Sequence, residues 1–160
     1  MITLRRLIKD DLPRLRQVWK DNWGDEFIVA HGVIYHPDPL DGFIAFDGHE
    51  WVGEITYDFS ENGCEIVTLD SVREGQGLGT KLINAVVDEA RKKNCRRVFL
   101  ITTNDNLNAL GFYQKRGFEM VRINRGAVNE SRKIKPSIPM IGMNNIPLRD
   151  EIELEILLKV

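Results

Sequence analysis

The stretch from Cys64 to Lys93 constrains this chain more than any other. An apolar, β-branched run, Cys64 to Leu69, leads into Val72-Arg-Glu-Gly-Gln-Gly-Leu-Gly-Thr-Lys-Leu82, which continues as an amphipathic segment to Lys93. Glycines alternate at Gly75, Gly77 and Gly79. The pattern reads as strand, tight glycine loop, helix. Glycine lets the backbone take φ > 0 and lets a ligand approach the main chain. The first N–H groups of a helix have no internal acceptor, and the helix dipole favours negative charge there. Such a loop suits a phosphate or pyrophosphate. A glycine turn that merely caps a helix shows the same spacing, so the loop alone leaves both readings open.

The spacing narrows the ligand. A dinucleotide fingerprint places its third glycine where this chain has Thr80, and a P-loop counted from Gly75 also requires glycine at Thr80. Both patterns fail. A second motif follows, Asn106-Leu-Asn-Ala109 and then Phe112-Tyr113-Gln-Lys-Arg-Gly117-Phe118. Ala109 and Tyr113 share one helix face by spacing. Gly117 is a natural helix stop, and Phe118 opens the next strand.

Together the two motifs resemble those of the GNAT superfamily of N-acetyltransferases. Its pyrophosphate loop reads Arg/Gln-x-x-Gly-x-Gly/Ala, and Gly77 and Gly79 take the two glycine places. Glu74 stands where that loop usually carries Arg or Gln, and the neighbouring Arg73 is the side chain expected to supply the charge. The second signature, Asn-x-x-Ala-x-x-x-Tyr-x-x-x-Gly-Phe, is matched at Asn106, Ala109, Tyr113, Gly117 and Phe118. The resemblance runs through about residue 125. It implies an α/β fold, a single domain over 1–160 with a mixed, mostly antiparallel central sheet flanked by helices.

The resemblance also implies a site. Two neighbouring parallel strands, here Glu65–Leu69 and Val98–Ile101, would part to admit the pantetheine arm of acetyl-CoA. Main-chain groups of Val67, Thr68 and Leu69 would pair with it as an added strand does, and the Leu69 N–H would polarise the acetyl carbonyl. Gly75, Gln76, Gly77, Leu78, Gly79 and Thr80 would hold the pyrophosphate, and Asn106 would reach the pantetheine. Tyr113 matches the position of the acid that protonates the departing thiolate; a packed aromatic is the alternative. The base used by some members falls at Ile101 and is absent. Glu65, in the context Glu-Ile-Val-Thr-Leu69, is the first candidate, acting through water, with Glu54 and Asp70 behind it. An ordinary half-exposed strand carboxylate reads equally well at Glu65, and an amine that arrives neutral needs no base.

Composition sets the remaining bounds. At 160 residues the chain can bury a sizeable core. A net charge of −2 gives no electrostatic case for nucleic acid. The basic clusters around Arg91–Arg97 and at Lys115-Arg116 read as solvated helix ends before they read as a contact for the cofactor's 3′-phosphate. Two cysteines, Cys64 and Cys95, lack CxxC spacing, so a reducing, cytoplasmic setting is expected. No leader peptide or membrane span is expected, and His31, His36 and His49 lack metal-ligand spacing. No metal is therefore expected. The expected partners are acetyl-CoA and an amine acceptor, with a homodimer left open.

Element by element, Met1–Leu7 reads as a strand. A helix capped by Asp10 or Asp11 runs to about Asn22, and Asp25–His31 reads as a short second helix. Asp47-Gly48 and Asn62-Gly63 read as hairpin turns. The following elements are a helix over Gly77–Lys93, a strand over Arg97–Ile101, a helix over Asn106–Arg116, a strand over Phe118–Asn124 and a helix over Ala127–Lys135. Pro136–Leu148 is a long loop, and Glu151–Leu158 alternates as an amphipathic strand with its glutamates outward. Trp23, Phe27, Tyr35, Ile138 and Met140 could line an acceptor pocket, with Asp25 or Glu26 meeting a cationic amine; self-packing of the loops is the alternative. Three function classes follow: an N-acetyltransferase for a primary amine; a catalytically inactive CoA-binding regulatory or interaction module on the same fold; and, disfavoured by the glycine count, a nucleotide-binding protein.

Overall fold

The structure is a computed structural model that describes residues 1–73 and 75–159. Glu74, the residue at the unusual loop position, lies outside the described residues. The elements are β1 (Ile2–Arg6), α1 (Leu12–Trp23), β2 (Ile28–Ala30), β3 (Val33–Tyr35), β4 (Asp41–Asp47), β5 (Glu50–Ser60), β6 (Gly63–Ser71), α2 (Leu78–Lys92), β7 (Arg97–Thr103), α3 (Leu107–Lys115), β8 (Glu119–Asn124), α4 (Ala127–Ile134) and β9 (Glu151–Leu157). They fall into two compact units. The first comprises Met1–Pro13, Pro37–Val98 and the residues from Leu157 onward, and the second comprises Arg14–His36 and Phe99–Ile156.

In the first unit β1, β4, β5 and β6 lie side by side, each pair antiparallel. The hairpin turns sit one residue away from the dipeptides that mark them. Asp47 pairs with Glu50, so the β4–β5 loop is Gly48-His49, with Gly48 at φ 62°. Ser60 pairs with Gly63, so the next loop is Glu61-Asn62. Gly63 is needed for closeness as well as for its φ of 122°, because a Cβ there would stand 2.8 Å from the Arg97 carbonyl oxygen. Asp11 caps its own tight turn: its carboxylate takes the Ile8 N–H at 2.8 Å and grips Arg5 at 2.7 and 2.8 Å. The Arg5 guanidinium holds that carboxyl below its usual range.

Helix α2 covers one face of these strands. It buries Leu78, Leu82, Ile83, Val86, Val87 and Ala90, the i, i+4 stripe expected of an amphipathic helix. The fit depends on Gly53 of β5. A Cβ there would meet the Asp70 carbonyl oxygen at 2.8 Å, Leu78 at 3.3 Å and Leu82 at 3.4 Å.

In the second unit the later residues of β7, then β9 and β8, form a run of strands in that order, with β8 and β9 antiparallel. Three elements depart from the sequence reading. Residues 25–31 form no helix; β2 and β3 pair antiparallel through a two-residue turn, with His31 at φ 41° and Gly32 at φ 80°. Ile28, Val29, Val33 and Ile34 are β-branched, and His31-Gly32 accepts the left-handed turn, so strand propensity overrode the helix reading. The glutamates of β9 do not all point outward, since Glu151 and Glu153 are buried. The β2–β3 turn lies over Glu151, whose carboxylate accepts the His31 N–H at 3.1 Å, so that position is not open to water. The long loop is not slack: Met143–Asn145 makes a 3-10 turn and Ile141 bridges to Pro147.

Gly53→Ala should lower the unfolding free energy by about 1–3 kcal/mol through overpacking of α2 on β5. Urea denaturation reads this directly, and an unchanged midpoint would show that the helix can retreat without loss.

Candidate active site

In the first unit β6 delivers Val67, Thr68 and Leu69 to the start of the glycine loop, and α2 begins at its end. Gly75 and Gly77 have φ of 76° and 71°, and a Cβ built on either would meet nothing within 4 Å. Their glycine character therefore answers to backbone conformation, and the space above them is open. Gly77 is the N-cap of α2 with no side-chain cap, so no protein side chain caps the helix start from that position. The first helical bond is Lys81 N–H to the Gly77 carbonyl at 3.0 Å. Leu78, directly after the N-cap Gly77, is buried and anchors the loop to the sheet. Gly79 and Thr80 belong to the first turn of α2, and Gln76 is exposed.

Arg73 does not serve the loop as expected. Its guanidinium is ion-paired to Asp47 and, at 2.5 Å, to Glu50 in the β4–β5 hairpin. The charge that the sequence seemed to offer next to Glu74 is spent on that hairpin.

The three carboxylates considered as bases lie on the same pair of strands in different settings. Glu65 is buried and pairs in register with Asp58. It sits four positions before Leu69, about 13 Å along the strand at ~3.3 Å per residue. Asp70 lies opposite Glu54. Glu54 is fully enclosed, and its Oε2 accepts the Thr68 hydroxyl at 3.0 Å. Burial pushes its carboxyl up to about 8; the Thr68 hydrogen bond opposes the shift and the charge of Asp70 adds to it. Nothing in the spacing of the sequence separated Glu54 from Glu65. Burial of this kind is a tertiary fact.

In the second unit the Asn106 motif takes its expected form. The Asn106 side-chain oxygen accepts the Ala109 N–H at 3.1 Å and so caps α3. The helix ends in a paired closure, with Phe118 N–H to the Tyr113 carbonyl at 3.1 Å and Gly117 N–H to Gln114 at 3.0 Å, the arrangement that a left-handed Gly117 permits. Tyr113 is buried and stacks edge-on against Phe112 and Phe118 at 5.3 and 5.5 Å between centroids. Four of the five signature residues thus have a local structural task, with Tyr113 at the centre of the aromatic cluster.

The residues considered for the acceptor also lie in this unit. Trp23 packs edge-on against Trp19 at 6.5 Å, and the Tyr35 hydroxyl lies 3.2 Å from the His31 ring nitrogen. Phe27 lies under the Lys135 ammonium at 5.0 Å. Much of the set is therefore occupied with its own packing, while Met140 stays 68% exposed. Sequence reasoning missed the residues that hold these loops. Buried Lys135 donates to the Trp23 and Phe27 carbonyls, both at 2.9 Å, and burial lowers its pKa. Glu151 takes the His31 N–H at 3.1 Å. Asp105, buried beside the signature Asn106, accepts the Met143 N–H at 2.8 Å and the Thr103 hydroxyl at 2.5 Å. A Cβ on Gly142 would collide with its carboxylate. Asn104 and Arg132 tie down further points of the same loop. No periodicity announces such anchors.

Cys64 is buried in β6, and burial lifts its thiol to about 12, which excludes it as a thiolate nucleophile. No cluster of metal-ligating side chains occurs among the described residues, and none of the described helices is long and apolar enough to cross a membrane.

An open, left-handed glycine loop at a helix start and an Asn-capped helix bearing a buried tyrosine are the two motifs on which the resemblance to acetyltransferases rests. The chain belongs to the acetyltransferase (GNAT) family, whose model matches residues 3–118. It is 45% identical over 135 residues to the uncharacterized protein YxbD of Bacillus subtilis (strain 168), covering 84% of this chain and 85% of that one. Its fold is similar to that of an IAA acetyltransferase from Bacillus cereus ATCC 14579, with a TM-score of 0.76 at 20% identity, covering 99% and 100% of the two chains. It is also similar to that of a GNAT family acetyltransferase from Elizabethkingia anophelis with acetyl-CoA bound, with a TM-score of 0.69 at 22% identity over 98% of each chain.

Asp105→Ala should leave the Met143 N–H without its buried acceptor and destabilise the protein by about 1–3 kcal/mol. Amide hydrogen exchange at Met143 should accelerate well ahead of exchange in α3. Equal protection in both proteins would mean that Asn104 and Arg132 suffice to hold the loop.

Proposed function

We propose that this chain is an acetyl-CoA-dependent N-acetyltransferase that moves an acetyl group to a primary amine of a small molecule, peptide or protein by direct attack on the thioester. Residues 1–160 act as one acetyltransferase domain in this reading. The observation that carries it is the open space over Gly75 and Gly77 at the start of α2. Main-chain N–H groups of that first turn have no intrahelical acceptor and suit a pyrophosphate. Solved relatives with CoA or acetyl-CoA bound support the same donor.

The roles follow the motifs. Val67, Thr68 and Leu69 present β6 main chain to the pantetheine arm, and the Leu69 N–H polarises the acetyl carbonyl. Gly75 to Thr80 hold the pyrophosphate. The Asn106 carboxamide oxygen is committed to its cap, and in this reading its amide group is the part that reaches the pantetheine. Tyr113 returns a proton to the leaving thiolate. Glu65, the sequence's candidate base, has a strand's length to span and works only through intervening water. No metal enters the chemistry. The free thiols of Cys64 and Cys95 fit a reducing, cytoplasmic setting.

Acetyl-CoA should raise the thermal midpoint, and NAD and ATP should not; a ligand at a hundredfold excess over Kd stabilises by about 2.7 kcal/mol. Gly77→Val should remove the shift while the apoprotein still unfolds cooperatively. A variant that binds acetyl-CoA normally sinks the loop assignment. Release of free thiol with a panel of amines then separates the transferase from an inactive CoA-binding module.

Tyr113→Phe keeps the aromatic packing and deletes the acid. Its kcat should fall roughly 10²-fold or more, as for loss of a general acid, with acetyl-CoA binding intact. An unchanged kcat would return Tyr113 to a structural role.

A further inference from the structure

Alternation along β5 and β6 sorts their side chains onto two faces. Gly53 faces Leu78 and Leu82 of α2. Glu54 and Thr56 of β5, opposite Asp70 and Thr68 of β6 in the register, therefore share the face turned away from that helix. There the Thr56 and Thr68 hydroxyl oxygens are 2.6 Å apart, and Thr68 reaches the Glu54 Oε2 at 3.0 Å. The three groups form one hydrogen-bonded chain, fully interior. The other carboxyl oxygen of Glu54, Oε1, is buried and has no hydrogen-bond partner among the described residues.

A half-satisfied, enclosed carboxylate is a costly charge. It gains from taking a proton, and the chain offers one route. When Glu54 is ionised, Thr68 donates to Oε2 and accepts in turn from its other side. When Glu54 is neutral, the donors of the chain can reverse. Thr68 immediately precedes Leu69, the residue assigned above to the acetyl carbonyl, whereas Glu65 is four positions away.

We infer that Glu54 is the terminal acceptor for the amine's proton, which it receives through the Thr68 hydroxyl. This rests on the transferase reading given above. The amine nitrogen forms a bond to the acetyl carbon and the carbon–sulfur bond breaks, its electron pair leaving with the CoA sulfur. The nitrogen's surplus proton passes to the Thr68 oxygen as Thr68 gives its own to Glu54 Oε2. The thiolate is protonated by Tyr113, and exchange with solvent resets both groups. In this relay the Thr68 hydroxyl is the group that meets the amine as it binds, and Glu54 acts through it. Asp70 is the charged group whose field acts on Glu54, and it favours the protonated form.

The sign of the pH dependence follows. Glu54 can accept a proton only above its own pKa, raised by burial to about 8. The kcat/KM should therefore fall as pH drops below that value. A weakly basic amine, such as a hydrazide, keeps the acceptor's own titration out of that range. With such an acceptor, Glu54→Gln and Thr68→Val should each lower kcat roughly 10²-fold and flatten the limb near pH 8. Both should retain the acetyl-CoA thermal shift. Thr68→Ser should restore rate and limb. Carboxyl carbon NMR of the CoA-bound protein, with the Glu54 signal assigned by its loss in Glu54→Gln, should show titration near 8. If Glu54→Gln keeps the wild-type rate and limb, the inference is overturned. A Glu54 signal that titrates in the ordinary carboxylate range overturns it as well. If no amine releases thiol from the wild-type protein, the transferase reading fails on its own, and the NMR titration still decides the proton affinity of Glu54.

Discussion

The close approach of α2 to β5 and β6 over Gly53 is the contact on which the cofactor side of the molecule depends. With no side chain at Gly53, Leu78 and Leu82 settle against the strands at van der Waals distance. Leu78 is also the first helical residue after the loop glycine Gly77, so the packing that docks the helix fixes the end of the loop. A helix start placed this way presents its unsatisfied N–H groups in a defined direction, and a loop of two left-handed glycines leaves the space above them open. Anion binding and core packing are thus set by the same residues, and a change in one moves the other.

The second unit is organised by buried polar groups. Lys135, Glu151, Asp105 and Asn104 each meet main-chain groups of a loop. The three charges, on Lys135, Glu151 and Asp105, are tolerable in the interior because each is paired with backbone dipoles that also needed partners. The result is a set of irregular segments held in place without regular secondary structure. The apolar side chains of Met140 and Ile141 on these segments stay exposed. A loop tied at this many points can present a surface of fixed shape.

The charged groups of the protein fall into two kinds. Ion pairs such as Arg73 with Glu50 and Arg149 with Asp150 lie near solvent, where such pairs contribute little to stability. Glu54 is the reverse case, a carboxyl with one partner and no solvent. Its raised pKa makes it a liability for stability as pH rises. The neutral form is the one the fold prefers, so its stabilising contribution is fullest below the unfolded-state pKa and is lost as pH climbs through about 8. Groups that weaken a fold in this way are often retained where chemistry needs them.

Long-range order along the chain was legible in the sequence because it rests on local rules. Alternation and β-branching marked the strands, the i, i+4 stripe marked α2, and the cap and stop residues Asn106 and Gly117 marked α3 to within a residue at either end. Glycine at 75 and 77 announced a backbone that only glycine adopts easily, and the two motifs together named the family. What the sequence could not decide was how polar residues would be spent. Residues 25–31 became a hairpin because strand partners and a left-handed turn outweighed a weak helical pattern. Arg73 went to Asp47 and Glu50. Glu54 was fully buried while Glu65 came to lie opposite Asp58. Each of these outcomes is set by neighbours brought together from distant positions, and burial, unlike periodicity, is a property of the folded chain alone.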